Sequence, residues 1–203
     1  MGLLQMFRRK PEIETREALA DFLDSHAAFL TQKAIFEYSR ARAGSNWQHL
    51  FKEKAFVAAI ESSRWNSFPI ALGNVTEMID AVLRDDERGR TPEAHEALID
   101  VAKTVLERYP VPEGEPADFW AVKRDWLEAR LRPLRLAPPH PFKHIPDATF
   151  DQFFDLLPIH KELRGHDRML VHNHLRMNLA SIYETNRRRL RPERLVSVLL
   201  DQA

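Results

Sequence analysis

The chain has 203 residues, of which 44% are hydrophobic and 30% charged, with 30 Lys/Arg balancing 30 Asp/Glu. That length supports one sizeable core or two small ones, and the apolar fraction excludes a wholly disordered chain. Cysteine is absent, which excludes disulfides, thiolate metal sites and cysteine nucleophiles and fits a reducing, cytoplasmic setting.

No apolar run reaches the ~18 residues that a membrane-spanning helix needs. At the N-terminus, MGLLQMFRRK puts its charges after a short apolar stretch, the reverse of a secretory leader. Residues 3–10 offer weak contact with an anionic membrane surface at most, and a docked or free tail is the simpler expectation.

Apolar residues recur at three- and four-residue steps, so the expected class is all-α, an irregular bundle of about seven to eight helices with a long N-terminal helix. From Thr15 to Ala43 the series Leu19, Leu23, Ala27, Leu30, Ala34, Tyr38, Ala41 keeps one face apolar, and Gly44 stops it. Ser45 or Asn46 is placed to cap a second helix running through Ile60. Asn66 or Ser67, with Pro69 in the first turn, predicts a restart that reaches about Arg84. Thr91-Pro92-Glu93 is the clearest helix start, combining a cap, a proline at the first position and an acid in the first turn. That helix reaches about Tyr109, where residues 110–116 (PVPEGEP) must interrupt it.

A helix follows from Ala117 to about Arg132, then a segment through Pro146 holding five prolines, expected to be extended or irregular. Asp147 is placed to cap a short helix that Pro158 ends. A helix from Gly165–Asp167 to about Arg189 and a last one opened by Pro192 complete the chain. The expected organisation is an N-terminal helical part over 1–109, a Pro-rich connector at 110–116 and a His/Arg-rich part over 117–203, together one compact domain. Residues 1–116 carry 15 Lys/Arg against 19 Asp/Glu, and residues 117–203 carry 15 against 11. The second half therefore suits an anionic partner, unless the two halves simply neutralise each other.

Polar chemistry concentrates between His160 and Arg194. Arg164, His166, Arg168, His172, His174, Arg176, Arg187, Arg188, Arg189 and Arg191 form the candidate anion- or partner-binding set. Guanidinium forks bind carboxylate and phosphate bidentately, although cations at a helix C-terminus also simply complement its dipole. His172 and His174 resemble a metal pair, but residues two apart on a helix diverge by about 200°. A weaker metal or catalytic constellation is His140, His144, His160 and His166 with Asp151, Asp155 and Glu162, if folding brings them together. Asn173, Asn178 and Asn186 are poor helix formers that need partners within their helix or across it. The chain lacks GxGxxG, GxxxxGK[ST], GxSxG and HExxH, so no catalytic residue is assigned and no cofactor is expected.

The leading functional expectation is a cytoplasmic interaction or regulatory module, without enzymatic activity, whose basic C-terminal helix contacts a protein with an acidic surface. Nucleic-acid binding through the same arginines and a histidine-based, metal-dependent enzyme or sensor stand beside it. Composition and motifs leave the oligomeric state open.

Overall fold

The computed structural model describes residues 12–201. The membrane-surface expectation for residues 3–10 falls outside them. Among the described residues there is no strand, and the architecture is the expected all-α bundle with a long N-terminal helix. None of its helices is long and apolar enough to cross a membrane.

Helix α1 (Arg16–Gln32) starts where the Thr15 hydroxyl accepts from the Ala18 amide, 3.0 Å. It continues through a wider π-helical turn, Lys33–Glu37, into α2 (Tyr38–Ala43). Gly44, with φ of 56°, then turns the chain in a conformation that a side chain would oppose. A single turn, α3 (Trp47–Leu50), precedes α4 (Lys54–Leu83), the 30-residue axis of the bundle. The remaining helices are α5 (Pro92–Glu107), α6 (Phe119–Leu131), α7 (Phe150–Asp155), α8 (Lys161–Arg164), α9 (Arg168–Asn186) and α10 (Pro192–Leu200).

The predicted restart at Asn66–Pro69 does not occur. Pro69 sits inside α4, where its missing N–H and its ring ordinarily cost ~3 kcal/mol. Packing on every side overrides that cost, because all residues from Ser67 to Asp80 are buried. Asn66 does not cap. Its Nδ2 donates to the Ser62 carbonyl at 3.0 Å and to Glu115 Oε1 of the connector at 3.0 Å, and its Oδ1 accepts from Lys123 at 2.8 Å. The expected helix from Trp47 to Ile60 is likewise broken at residues 51–53, and neither Ser45 nor Asn46 makes a side-chain cap.

Helix α1 packs along α4, α5 and α6 flank that pair, α10 closes on α5, and α9 lies along α1. The main core draws Leu23, Leu72 and Leu98 from one side of the connector and Leu127, Leu179 and Leu195 from the other. A second cluster joins Ile35 and Tyr38 to Ile70, Phe150, Phe153, Phe154, Val171 and Leu175. The connector is held down by an aromatic group in which Trp65 lies 5.1 Å from Tyr109 and 5.9 Å from Trp120, and Trp120 Nε1 donates to the Pro110 carbonyl at 3.0 Å.

The Pro-rich segment is more ordered than its prolines suggest. Two 3₁₀ stretches, Arg132–Leu136 and Phe142–Ala148, bracket an extended piece. Asp147 lies in the second stretch and makes no cap for α7, because its carboxylate is engaged elsewhere. Helix α9 stops at Asn186, three residues short of the expected end, so Arg187, Arg188 and Arg189 lie in the turn beyond it.

Candidate functional site

Helix α9 buries Val171, Leu175, Leu179 and Ile182 against the body. Its opposite side presents Met169, Leu170 and Met177, which are 75, 66 and 72% exposed, and Leu163 on the preceding α8 is 60% exposed. Asn173 lies among them, and Arg187 and Arg188 are exposed just past the helix end. Large apolar side chains this exposed in one stripe are unusual on a soluble surface.

The basic residues predicted for this region separate into distinct roles. Arg164 is not on the surface at all. It is 3% exposed and donates to the carbonyls of Phe154 (2.5 Å), Leu157 (3.0 Å) and Asp155 (3.1 Å), closing the C-terminal end of α7. Such a side chain satisfies orphan helix carbonyls and complements the helix dipole. Arg168 pairs with Asp151, its guanidinium 4.9 Å from the Phe150 ring centre.

His144, His172 and Arg176 meet at Asp147. His172 Nε2 is 2.7 Å from Asp147 Oδ1 and its ring stacks on Phe150 at 4.3 Å. His144 Nδ1 is 3.0 Å from Asp147 Oδ2, and Arg176 Nε is 3.2 Å from Oδ1 and donates to the Lys143 carbonyl. Burial alone would raise the Asp147 carboxyl, but the two histidine bonds and the Arg176 charge outweigh it and hold the group below its ordinary value.

His174 points away, as the helical angle requires, to lie 3.9 Å from Glu37, and burial lowers its pKa. Arg189 donates to Asn186 Oδ1 at 3.1 Å over the Phe22 ring. Arg187 reaches Glu184 only at 3.9 Å, while Arg188 and Arg191 are exposed. Asn178 and Asn186 each return their amide to the helix, to the carbonyls of His174 (2.7 Å) and Ile182 (2.9 Å).

The proposed metal constellation is dispersed. His140 bonds Glu77, Asp151 bonds Arg168, Asp155 bonds Arg164, His160 lies 3.9 Å from Glu162, and His166 is exposed. Among the described residues no group of three or more His, Asp or Glu side chains is arranged to hold a metal ion. His144 and His172 both face the oxygens of Asp147, so their nitrogens do not point at a common ion.

Sequence reasoning missed a seam of buried charge on α4. Asn74, Glu77 and Asp80 are each 5% exposed or less and lie along one side of the helix. Arg130 Nη2 of α6 donates to Asn74 Oδ1 and Glu77 Oε2, both at 2.8 Å, and His140 Nδ1 lies 2.8 Å from Glu77 Oε1. Asp80 Oδ1 is 2.7 Å from His95 Nδ1 and its Oδ2 is 2.6 Å from Arg84 Nη2. The only signal in the sequence was polar residues spaced three apart inside the apolar run FPIALGNVTEMIDAVL.

His95 is no catalytic base. Its Nε2 faces the Leu131 carbonyl at 3.1 Å, so both ring nitrogens are committed to acceptors. The Asp80 end of the seam opens into a cleft of about 420 Å³ beneath the Pro-rich segment. Comparison of the chain with protein-family models, curated proteins and solved structures returned no match.

Proposed function

We propose that this protein is a helical interaction module, working in a cytoplasmic setting that its cysteine-free composition fits, whose docking face is the outer side of α8 and α9. The occupant is an amphipathic helix of a partner protein with acidic flanks. The observation carrying this reading is the exposed stripe of Leu163, Met169, Leu170 and Met177. Methionine adapts its shape to varied apolar partners, and a helix offers its own apolar residues at matching three- and four-residue steps. Charge supports an acidic partner, because exposed Arg187, Arg188 and Arg191 outnumber Glu184 at the C-terminal end of the stripe.

Burying a Leu or Met side chain completely contributes ~1.5–3 kcal/mol, so four that are already partly covered supply about 4–8 kcal/mol before the cost of association. That places the complex among transient ones. The test is fluorescence anisotropy with a labelled helical peptide carrying leucines on one face and glutamates on the other. Saturable binding that weakens about tenfold in Met169→Ser/Met177→Ser, with unchanged thermal stability, supports the face. Equal binding by this variant, or none by the wild type, removes it.

A further inference from the structure

A cleft lies away from α9, where α4 ends and α5 begins. The cleft of about 420 Å³ is lined by Asp80, Arg84, Arg90, His95 and Arg135, with Ala137–Pro139 as an apolar wall. That volume falls in the range of small-molecule sites and exceeds the need of a single bare ion.

Charge within the cleft is unbalanced. Asp80 is consumed on both oxygens, by His95 and Arg84. Arg84 also donates to the Ala137 carbonyl at 2.7 Å, which fixes both the guanidinium and the wall. Arg90 is oriented through its Nε, which donates to the Arg84 carbonyl at 2.7 Å, and its Nη1 and Nη2 bond no described residue. Arg135 is exposed and pairs with no described residue. Asp85 is the one remaining carboxylate on the lining. Thr91, the N-cap of the 16-residue α5, also lines the cleft, so the positive end of that helix dipole adds to the same potential. Gly89 permits this geometry, since a Cβ there would lie 2.0 Å from the Leu83 carbonyl oxygen.

We propose that this cleft binds a phosphomonoester of a small hydroxylated molecule. Arg90 and Arg135 hold the phosphate, which matches guanidinium forks bidentately. The proline wall takes the carbon skeleton, and Asp85 accepts from a hydroxyl. Arg84 positions Arg90 through its carbonyl and the wall through its side chain. This use of the Pro-rich segment is independent of the α9 face.

Isothermal titration with inorganic phosphate, sulfate, glucose 6-phosphate and adenosine monophosphate tests the site, with glucose and adenosine as controls. Saturable binding of at least one phosphomonoester, tighter than inorganic phosphate or sulfate and absent for its dephosphorylated form, is expected. It should raise the melting temperature and weaken about tenfold in Arg90→Gln and again in Arg135→Gln. Arg40→Gln, an exposed residue of α2 outside the cleft lining, should leave it unchanged. Equal affinity for sulfate and the phosphomonoesters would reduce the cleft to a general oxyanion trap and overturn the assignment. No saturable binding up to about 10 mM, or undiminished binding by Arg90→Gln/Arg135→Gln, would also overturn it.

Discussion

Gly73→Ala should destabilise this protein even though it lies within a helix, where alanine is normally favoured by ~1 kcal/mol. A Cβ on residue 73 of α4 would sit 2.7 Å from Arg130 Nη1 and 3.2 Å from Leu127 Cδ1. Ordinary contact needs about 3.5 Å, so the guanidinium must retreat by about 0.8 Å. Both of its 2.8 Å bonds, to Asn74 and Glu77, then stretch to the limit of a hydrogen bond. Glu77 is 5% exposed, and a buried charge that loses its partner costs ~3–5 kcal/mol. His140 still faces its other oxygen, so the low end applies, and the net loss is about 2 kcal/mol. Urea unfolding should register this as a midpoint lower by about 1 M. In an Arg130→Met background only the 3.2 Å approach of Leu127 Cδ1 remains, and the same Gly73→Ala change should cost clearly less than in the wild type. A neutral or stabilising Gly73→Ala in the wild type, or identical effects in the two backgrounds, would refute the packing of Arg130 over Gly73.

Other consequences are independent of that site. Arg164→Met strands three carbonyls at the end of α7 and should cost ~2–4 kcal/mol, with Arg164→Lys recovering little, because one ammonium cannot reach all three; a loss under ~1 kcal/mol would argue against the cap. Asp147 ionises below its ordinary 3.8, so it stabilises the fold above that pH and the contribution is lost as pH falls through the depressed value. The stability gap between wild type and Asp147→Asn should therefore be full at neutral pH and narrow as pH falls through the acid range, and a gap of constant size from neutral pH into strong acid would contradict the hub. Burial and the 2.6 Å bond to Asp24 push the Tyr109 phenol up to about 12. Its contribution is then full below its ordinary 10.0 and is lost as pH rises toward 12, so the gap to Tyr109→Phe should shrink over that window, and a pH-independent gap would be inconsistent with a buried, bonded phenol.

Local rules were legible in the sequence wherever the decisive partners lie within one turn. Thr15 and Thr91 cap their helices through amides three residues on, Pro192 opens α10, and Gly44 ends the first helical rod with a positive φ. The apolar series from Leu19 to Tyr38 is buried as its spacing requires. These features depend on backbone sterics and neighbouring hydrogen bonds, which the adjacent residues supply.

Tertiary structure decided everything that depends on which surface meets which. Pro69 continues a helix because surrounding helices bury it from all sides. Asp147 abandons its cap for two histidines and an arginine, of which His172 lies 25 residues away. On α9, residues 171, 175, 179 and 182 and residues 169, 170 and 177 both have helical spacing, and only the neighbouring elements select which set is buried. Arg164, grouped with the surface cations by its charge, is drawn inward by the carbonyls of α7. The buried seam of α4 finds partners on α5, α6, the Pro-rich segment and Thr149 ahead of α7, the farthest 75 residues along the chain. Periodicity states that a helix has faces, whereas burial and pairing of a given face depend on long-range contacts that cancel desolvation, and those exist only once the bundle is assembled.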